Sequence, residues 1–346
     1  MPSDQHYDAI VIGSGQGGTP LCQALAAAGK RTALVEREHV GGTCVNEGCT
    51  PTKTMIASGR VAYLARRGTD YGVKAGTLHI EMTRVRKRKR DIVNLFRSGN
   101  EKRIKKTPNL DLIFGEASFS SPNSINVRGK KGKPQSLTAD QFFINAGARP
   151  GIPQLDGLEK VPYLTSTSIM ELAKVPEHLL VLGGGYVGLE FGQLFRRLGS
   201  RVTVIHRGAQ LFAQEDQDVA DAVAQILKED GIQVFFNAKA ESVAYKKNRV
   251  AMKVRTGNKL RTIEGSHLLV ATGRAPNSDT LNLAAAGIVA NDKGFIRVNH
   301  KLETNVPNIF ALGDIKGGPA FTHISYDDFR ILRTNIINKG NASIAN

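Results

Sequence analysis

Two cysteines stand five residues apart in the run Gly41-Gly42-Thr43-Cys44-Val45-Asn46-Glu47-Gly48-Cys49-Thr50-Pro51-Thr52-Lys53. Thiols at that spacing can meet across a distorted first helical turn, so a disulfide between Cys44 and Cys49 is sterically open. A cysteine at a helix start, with Lys53 close behind it, favours the thiolate. Thiolate is the species that carries thiol–disulfide exchange. The rival reading is half of a zinc site, which needs further Cys or His ligands. Cys22, the remaining cysteine, falls within a predicted helix and reads as a small core residue. No metal site is expected.

Two glycine turns frame a second kind of chemistry. Residues 7–12, YDAIVI, run into Gly13-Ser14-Gly15-Gln16-Gly17-Gly18. A helix is predicted from Pro20 to Ala28, then a strand from Thr32 to Val35 ending at Glu36. Strand, glycine turn, helix, strand and acid make a dinucleotide-binding unit. Gly13 makes the tight turn, Gly15 admits a pyrophosphate, Gly18 lets helix and strand pack, and Glu36 can accept from a ribose hydroxyl. The pattern returns at residues 179–182, LLVL, followed by Gly183-Gly184-Gly185-Tyr186-Val187-Gly188, a helix over 189–198 and a strand over 201–205. One such turn is weak evidence; two in full context predict two bound dinucleotides. The proline-rich stretch 150–162 reads as a linker. The expected fold is α/β, with two Rossmann-like domains, the second inserted in the first: 1–150, 151–275 and a return over 276–346.

The 346 residues carry a net charge of +16. Residues 84–106 alone hold 11 basic and 2 acidic side chains. With Ile92, Val93, Leu95, Phe96 and Ile104 as an apolar stripe, this segment predicts an amphipathic helix with a solvated basic face. No aromatic platform accompanies the charge, so no nucleic-acid partner is expected. No apolar run reaches the length of a membrane span, and no signal-peptide pattern opens the chain. A cytoplasmic protein with no membrane partner is expected.

GGTCVNEGCTPTK, with GSGQGG, GEASF at 115–119, GGGYVGLE at 183–190, ATGR at 271–274 and TNVPNIFALGD at 304–314, closely resembles the class I flavoprotein disulfide reductases. That family includes glutathione reductase, dihydrolipoyl dehydrogenase and mercuric reductase. The resemblance implies FAD on the first unit and NAD(P)H on the second. It makes Cys44 and Cys49 a redox-active disulfide, with Cys49 beside the flavin and Cys44 the interchange thiol. Lys53 would pair with Glu190 near the flavin, and Tyr186 would be a lid between flavin and nicotinamide. Asp314 would hold the ribitol chain and Ala117 the adenine through its backbone. Gly42, Thr43, Gly147, Gly313 and the run Ala320, Phe321, Thr322 and His323 would complete the FAD contacts. Gly183, Gly185, Tyr186, Gly188, Glu190, His206, Arg207 and Gly273 would face NAD(P).

The implied function is passage of electrons from NAD(P)H through FAD to a small-molecule disulfide or a metal ion. CVNEGC, Thr52-Lys53 and the tail FTHISYDDFRILR are similar to a mercuric-reductase-like member, and the tail also resembles bacterial reductases that handle oxidants or copper. The alternatives are a glutathione-reductase or dihydrolipoyl-dehydrogenase type, or a flavin-binding fragment without full turnover. The family carries a further C-terminal interface domain of about 100 residues. It supplies most of the dimer contact and a His-Glu pair serving the interchange thiol, and no H-P-x-x-x-E pattern occurs here. That domain is therefore expected to be absent and homodimerisation weakened. Cofactor preference is read from His206-Arg207: no acid follows the strand to repel a 2′-phosphate, and the Arg207 fork suits one. Gly188 stands where NADP-binding units often carry alanine, but it sets packing rather than charge. NADPH is expected over NADH.

Overall fold

Strands covered on both faces must be apolar along their whole length, and the runs before the two glycine turns are of that kind. A computed structural model describes residues 5–344. Its helices are α1 (Gly18–Ala27), α2 (Gly42–Asn46), α3 (Cys49–Arg66), α4 (Met82–Lys105), α5 (Tyr186–Leu198), α6 (Gln217–Glu229) and α7 (Thr322–Leu332). The chain forms two compact units. One holds the described residues as far as Asn46, Val93–Arg149 and those from Ala275 on; the other holds Glu47–Ile92 and Pro150–Arg274.

The first unit is built on a seven-stranded sheet. Its order is Leu110–Phe114, Thr32–Glu36, Gln5–Ile12, Gln135–Ile144, Ser124–Arg128 and Glu116–Ser121, with Ile309–Ala311 also pairing to Gln135–Ile144. The strands from Leu110–Phe114 to Gln135–Ile144 are parallel, and the last two turn antiparallel. Ile10, Val35, Phe142 and Ile144 feed one core, while Val11, Leu25, Leu34 and Phe143 feed another. The second unit has a five-stranded sheet in the order Gln233–Phe235, Arg201–Ile205, His178–Leu182, His267–Val270 and Tyr163–Leu164, and a separate antiparallel meander over residues 238–265. In each unit a parallel strand–turn–helix–strand crossover sets the glycine turn at the carboxyl end of a strand, where α/β sheets bind ligands.

Residues 47–92 group with the second unit. The reason is packing: Met55, Ala62 and Met82 share a core with Phe191, Leu194 and Phe195, and a Cβ on Gly59 of α3 would come within 2.9 Å of Leu194. The basic segment does form a helix, α4, but its stripe differs. Leu95 and Phe96 are 72% and 52% exposed, whereas Lys89 is only 4% exposed. Lys89 takes an inward position because Glu171 pairs with it, offsetting the cost of burying a charge.

Candidate functional site

In the first unit, Gly13 adopts φ +100°, and a Cβ there would lie 2.4 Å from the Asn145 carbonyl oxygen. Only glycine tolerates both conditions. A Cβ on Gly18 would stand 2.1 Å from the Gly13 carbonyl oxygen, so α1 starts unusually close to the turn. Gly42 packs on the same turn, its Cβ position 2.6 Å from the Gly15 Cα. Such a cradle fits a pyrophosphate brought close to bare backbone at a helix N-terminus. Glu36, at the end of its strand, is 9% exposed. Its carboxylate accepts from the Ser14 amide at 3.0 Å, the Ser14 hydroxyl at 2.6 Å and the Glu38 amide at 2.9 Å. Glu36 thus braces the turn from behind.

Asn145 ties this turn to a second segment. Its Oδ1 accepts from the Gly18 amide at 2.8 Å, and its Nδ2 donates to the Leu312 carbonyl at 3.0 Å. Leu312 leads directly into Gly313 and Asp314, on a 3-10 turn over Gly313–Lys316. The Gly313 amide donates to Asp328 of α7 at 2.8 Å, and Lys316 approaches the same carboxylate at 3.4 Å. Burial pushes the Asp328 acid above the ordinary carboxylate range, against the pull of that amide and of Lys316. Sequence reading named Gly313 and Asp314 but missed Asn145 and Asp328. Of the remaining FAD candidates, Ala117 has its methyl in the core, Thr43 is exposed on α2, and Gly147 adopts φ +68° with open space around its Cβ position. Ala320 is exposed, and the rings of Phe321 and His323 stack 5.3 Å apart at the start of α7, around Thr322.

Cys44 is half-buried on α2, and Cys49 is the exposed first residue of α3. A helix N-terminus favours negative charge on the Cys49 sulfur. Asn46 closes the Cys44 segment: its Nδ2 donates to the carbonyls of His39, Val40 and Gly42, and Arg97 of α4 donates to its Oδ1 at 2.8 Å. One turn into α3, Lys53 pairs with Glu190 of α5. Cys22 is fully buried, with its thiol pushed up to about 12 by burial. Among the described residues, no three His, Cys, Asp or Glu side chains gather as a metal-holding group.

The second unit carries a cleft of about 950 Å³, within the usual range for small-molecule sites. Gly183, Gly185, Tyr186, His206, Arg207 and Gly273 all line it. The turn repeats the construction of the first. Gly183 adopts φ +114°, a Cβ on Gly188 would lie 2.1 Å from the Gly183 carbonyl oxygen, and the Cβ position of Gly185 faces open space. A dinucleotide pyrophosphate fits that space. His206 is less available than its place in the sequence suggests. Its Nδ1 accepts from the Gly184 amide at 3.2 Å, and its Nε2 donates to the Gln210 carbonyl at 2.8 Å. Both ring nitrogens therefore brace the turn and the loop after it. Arg207 is exposed beside it, and among the described residues no carboxylate lines the cleft.

A family model for the pyridine nucleotide-disulphide oxidoreductases matches residues 7–328. The chain is 36% identical over 340 residues to a probable pyridine nucleotide-disulfide oxidoreductase RclA of Escherichia coli, covering 97% of this chain and 72% of that protein. It is 35% identical over 342 residues to a mercuric reductase of Lysinibacillus sphaericus, covering 99% of this chain and 62% of that one. Among solved structures, a Cu(II) complex of the HOCl-induced flavoprotein disulfide reductase RclA from Escherichia coli matches with a TM-score of 0.89 at 34% identity, over 99% of this chain and 73% of that one. With two glycine turns of one construction, a Cys44/Cys49 motif and these matches, the chain belongs to the pyridine nucleotide-disulphide oxidoreductase family.

Proposed function

We propose that this protein is an FAD-dependent NADPH oxidoreductase that delivers electrons through a Cys44–Cys49 disulfide to a metal ion or a small disulfide. The observation that carries the reading is the repetition, in one chain, of a glycine turn whose close approaches exclude any side chain. FAD, when bound, supplies two-electron transfer between a nicotinamide and a disulfide. The residues of the chain do the rest. In the first unit the turn at Gly13–Gly18 holds a pyrophosphate, Asn145 fixes the turn against Leu312, and Asp328 fixes the Gly313 amide. In the second, the turn at Gly183–Gly188 takes the nicotinamide dinucleotide, and Arg207 meets its 2′-phosphate. Lys53, held by Glu190, supplies a positive charge. The helix head stabilises the Cys49 thiolate, and Cys44 faces the substrate.

The balance is simple. A hydride and one proton open the Cys44–Cys49 bond to two thiols and leave the oxidised nicotinamide. A disulfide substrate is then attacked by the Cys44 sulfur, which releases one thiol, and Cys49 displaces the second from the mixed disulfide. A soft metal ion is instead ligated by the thiolates and takes their two electrons, as one Hg(II) or two Cu(II); on either path the Cys44–Cys49 bond re-forms. The mercuric reductases and the Cu(II)-bound RclA among the relatives support the metal-ion arm. In the test, the FAD-loaded protein is mixed with NADPH without oxygen. Its yellow colour is expected to bleach, and addition of Hg(II), Cu(II) or a small disulfide identifies the acceptor by restoring it. Protein that holds no flavin after incubation with FAD overturns the reading.

A further inference from the structure

The loop over residues 206–216 lines the dinucleotide cleft with its first residues and holds Tyr186 with its last. The Tyr186 phenol donates to the Glu215 carboxylate. Its ring lies 4.7 Å from that of Phe212, tilted by 35°. Phe212 is a non-glycine residue at φ 49°, in the left-handed region that such residues rarely adopt. The Glu215 amide holds that conformation by donating to the Phe212 carbonyl at 2.7 Å, and Gln210 Nε2 donates to the Glu215 carbonyl at 3.1 Å. A strained backbone, an aromatic ring and a carboxylate thus converge on one side chain. Core packing does not require this: Tyr186 is 43% exposed, where water could serve its hydroxyl equally well. Strain retained at a cleft points to a role in ligand binding.

We propose that Glu215 is a positioning residue which, with Phe212, latches Tyr186 at the cleft, so that a nicotinamide dinucleotide must break the phenol–carboxylate bond to seat fully. The proposal rests on the reading of this cleft as the NADPH site. It adds that the loop carrying Arg207 also restrains the lid, so phosphate recognition and lid release share one loop. Independently of any ligand, the bond to Glu215 raises the Tyr186 phenol above the ordinary tyrosine range.

The test measures NADP⁺ binding calorimetrically to FAD-loaded wild type, Glu215→Gln, Tyr186→Phe and the double variant, alongside an ultraviolet titration of the phenols. Glutamine keeps the shape but weakens the charge-assisted bond. Glu215→Gln is expected to bind NADP⁺ about threefold tighter, the scale of one exposed hydrogen bond. Tyr186→Phe should tighten binding similarly, and the double variant no further than either single one. One phenol that titrates high in wild type should return to the ordinary range in Glu215→Gln. Unchanged or weaker binding in Glu215→Gln, additive effects, or an unshifted phenol overturns the latch. If Tyr186→Phe tightens binding while Glu215→Gln does not, the latch fails and the NADPH reading stands; if no variant binds NADP⁺, both fall.

Discussion

Asn145→Ala should damage the first unit more than any single substitution at an exposed site residue. The side chain is 6% exposed and makes two hydrogen bonds, to the Gly18 amide at 2.8 Å and from its own Nδ2 to the Leu312 carbonyl at 3.0 Å. Alanine leaves both partners buried and unsatisfied. Each such orphan costs about 1–3 kcal/mol, so the pair costs roughly 2–6 kcal/mol, and about 3 kcal/mol is expected after local relaxation. Because the two bonds hold the Gly13–Gly18 turn and the approach to Asp314, the same loss should weaken FAD binding by roughly a hundredfold. Urea unfolding with and without FAD measures both quantities. Asn145→Asp keeps the acceptor for Gly18 but turns a carboxylate toward the Leu312 carbonyl, and should cost as much or more. An Asn145→Ala protein within about 0.5 kcal/mol of wild type that retains FAD would refute the reasoning.

Arg207→Glu should reverse cofactor preference, lowering kcat/KM for NADPH about tenfold or more while sparing NADH, since an acid repels the 2′-phosphate that a guanidinium attracts. An unchanged NADPH/NADH ratio in steady-state rates would remove Arg207 from the site. For Asp328 the sign follows from its raised acid. A folded value above the unfolded one, about 3.9, means a contribution that is full below pH ~4 and is lost as pH rises through the folded value. Asp328→Asn, which keeps an acceptor for the Gly313 amide, should flatten that decline; a urea midpoint falling with pH as steeply as in wild type would assign it elsewhere.

What the sequence displayed was local. A glycine forced to φ +100° at Gly13, or one whose Cβ would meet a carbonyl at 2.1 Å as at Gly18, is a requirement of a few consecutive residues, and it shows as spacing. The strands before each turn showed as apolar runs for the same reason. The braces did not show. Asn145 lies 127 residues from Gly18, and its partner Leu312 is 167 residues further on. Nothing in the run Phe143-Ile144-Asn145-Ala146-Gly147 marks one amide as the residue that joins two turns. Asp328 was hidden the same way among the charges of α7. On α4 the apolar stripe was misread: Lys89 takes an inward place through an ion pair to Glu171, 82 residues away, while Leu95 and Phe96 lie outside. Residues 47–92 group with the second unit because the packing face of α3, with Met55 and Ala62, lies in that unit's core.

The central claim is that NADPH opens a bond between Cys44 and Cys49, and thiol mapping tests it most directly. FAD-loaded protein is alkylated before and after anaerobic NADPH, and the modified peptides are read by mass spectrometry. Cys22 should stay unlabelled in both samples, since it is fully buried and burial holds its thiol up at about 12. The account predicts that two new reactive thiols emerge only after NADPH, at Cys44 and Cys49, and that Cys49→Ser leaves Cys44 reactive from the start. Thiols at 44 and 49 that are fully labelled before NADPH in air-oxidised protein, or none that emerge after it, would contradict the account.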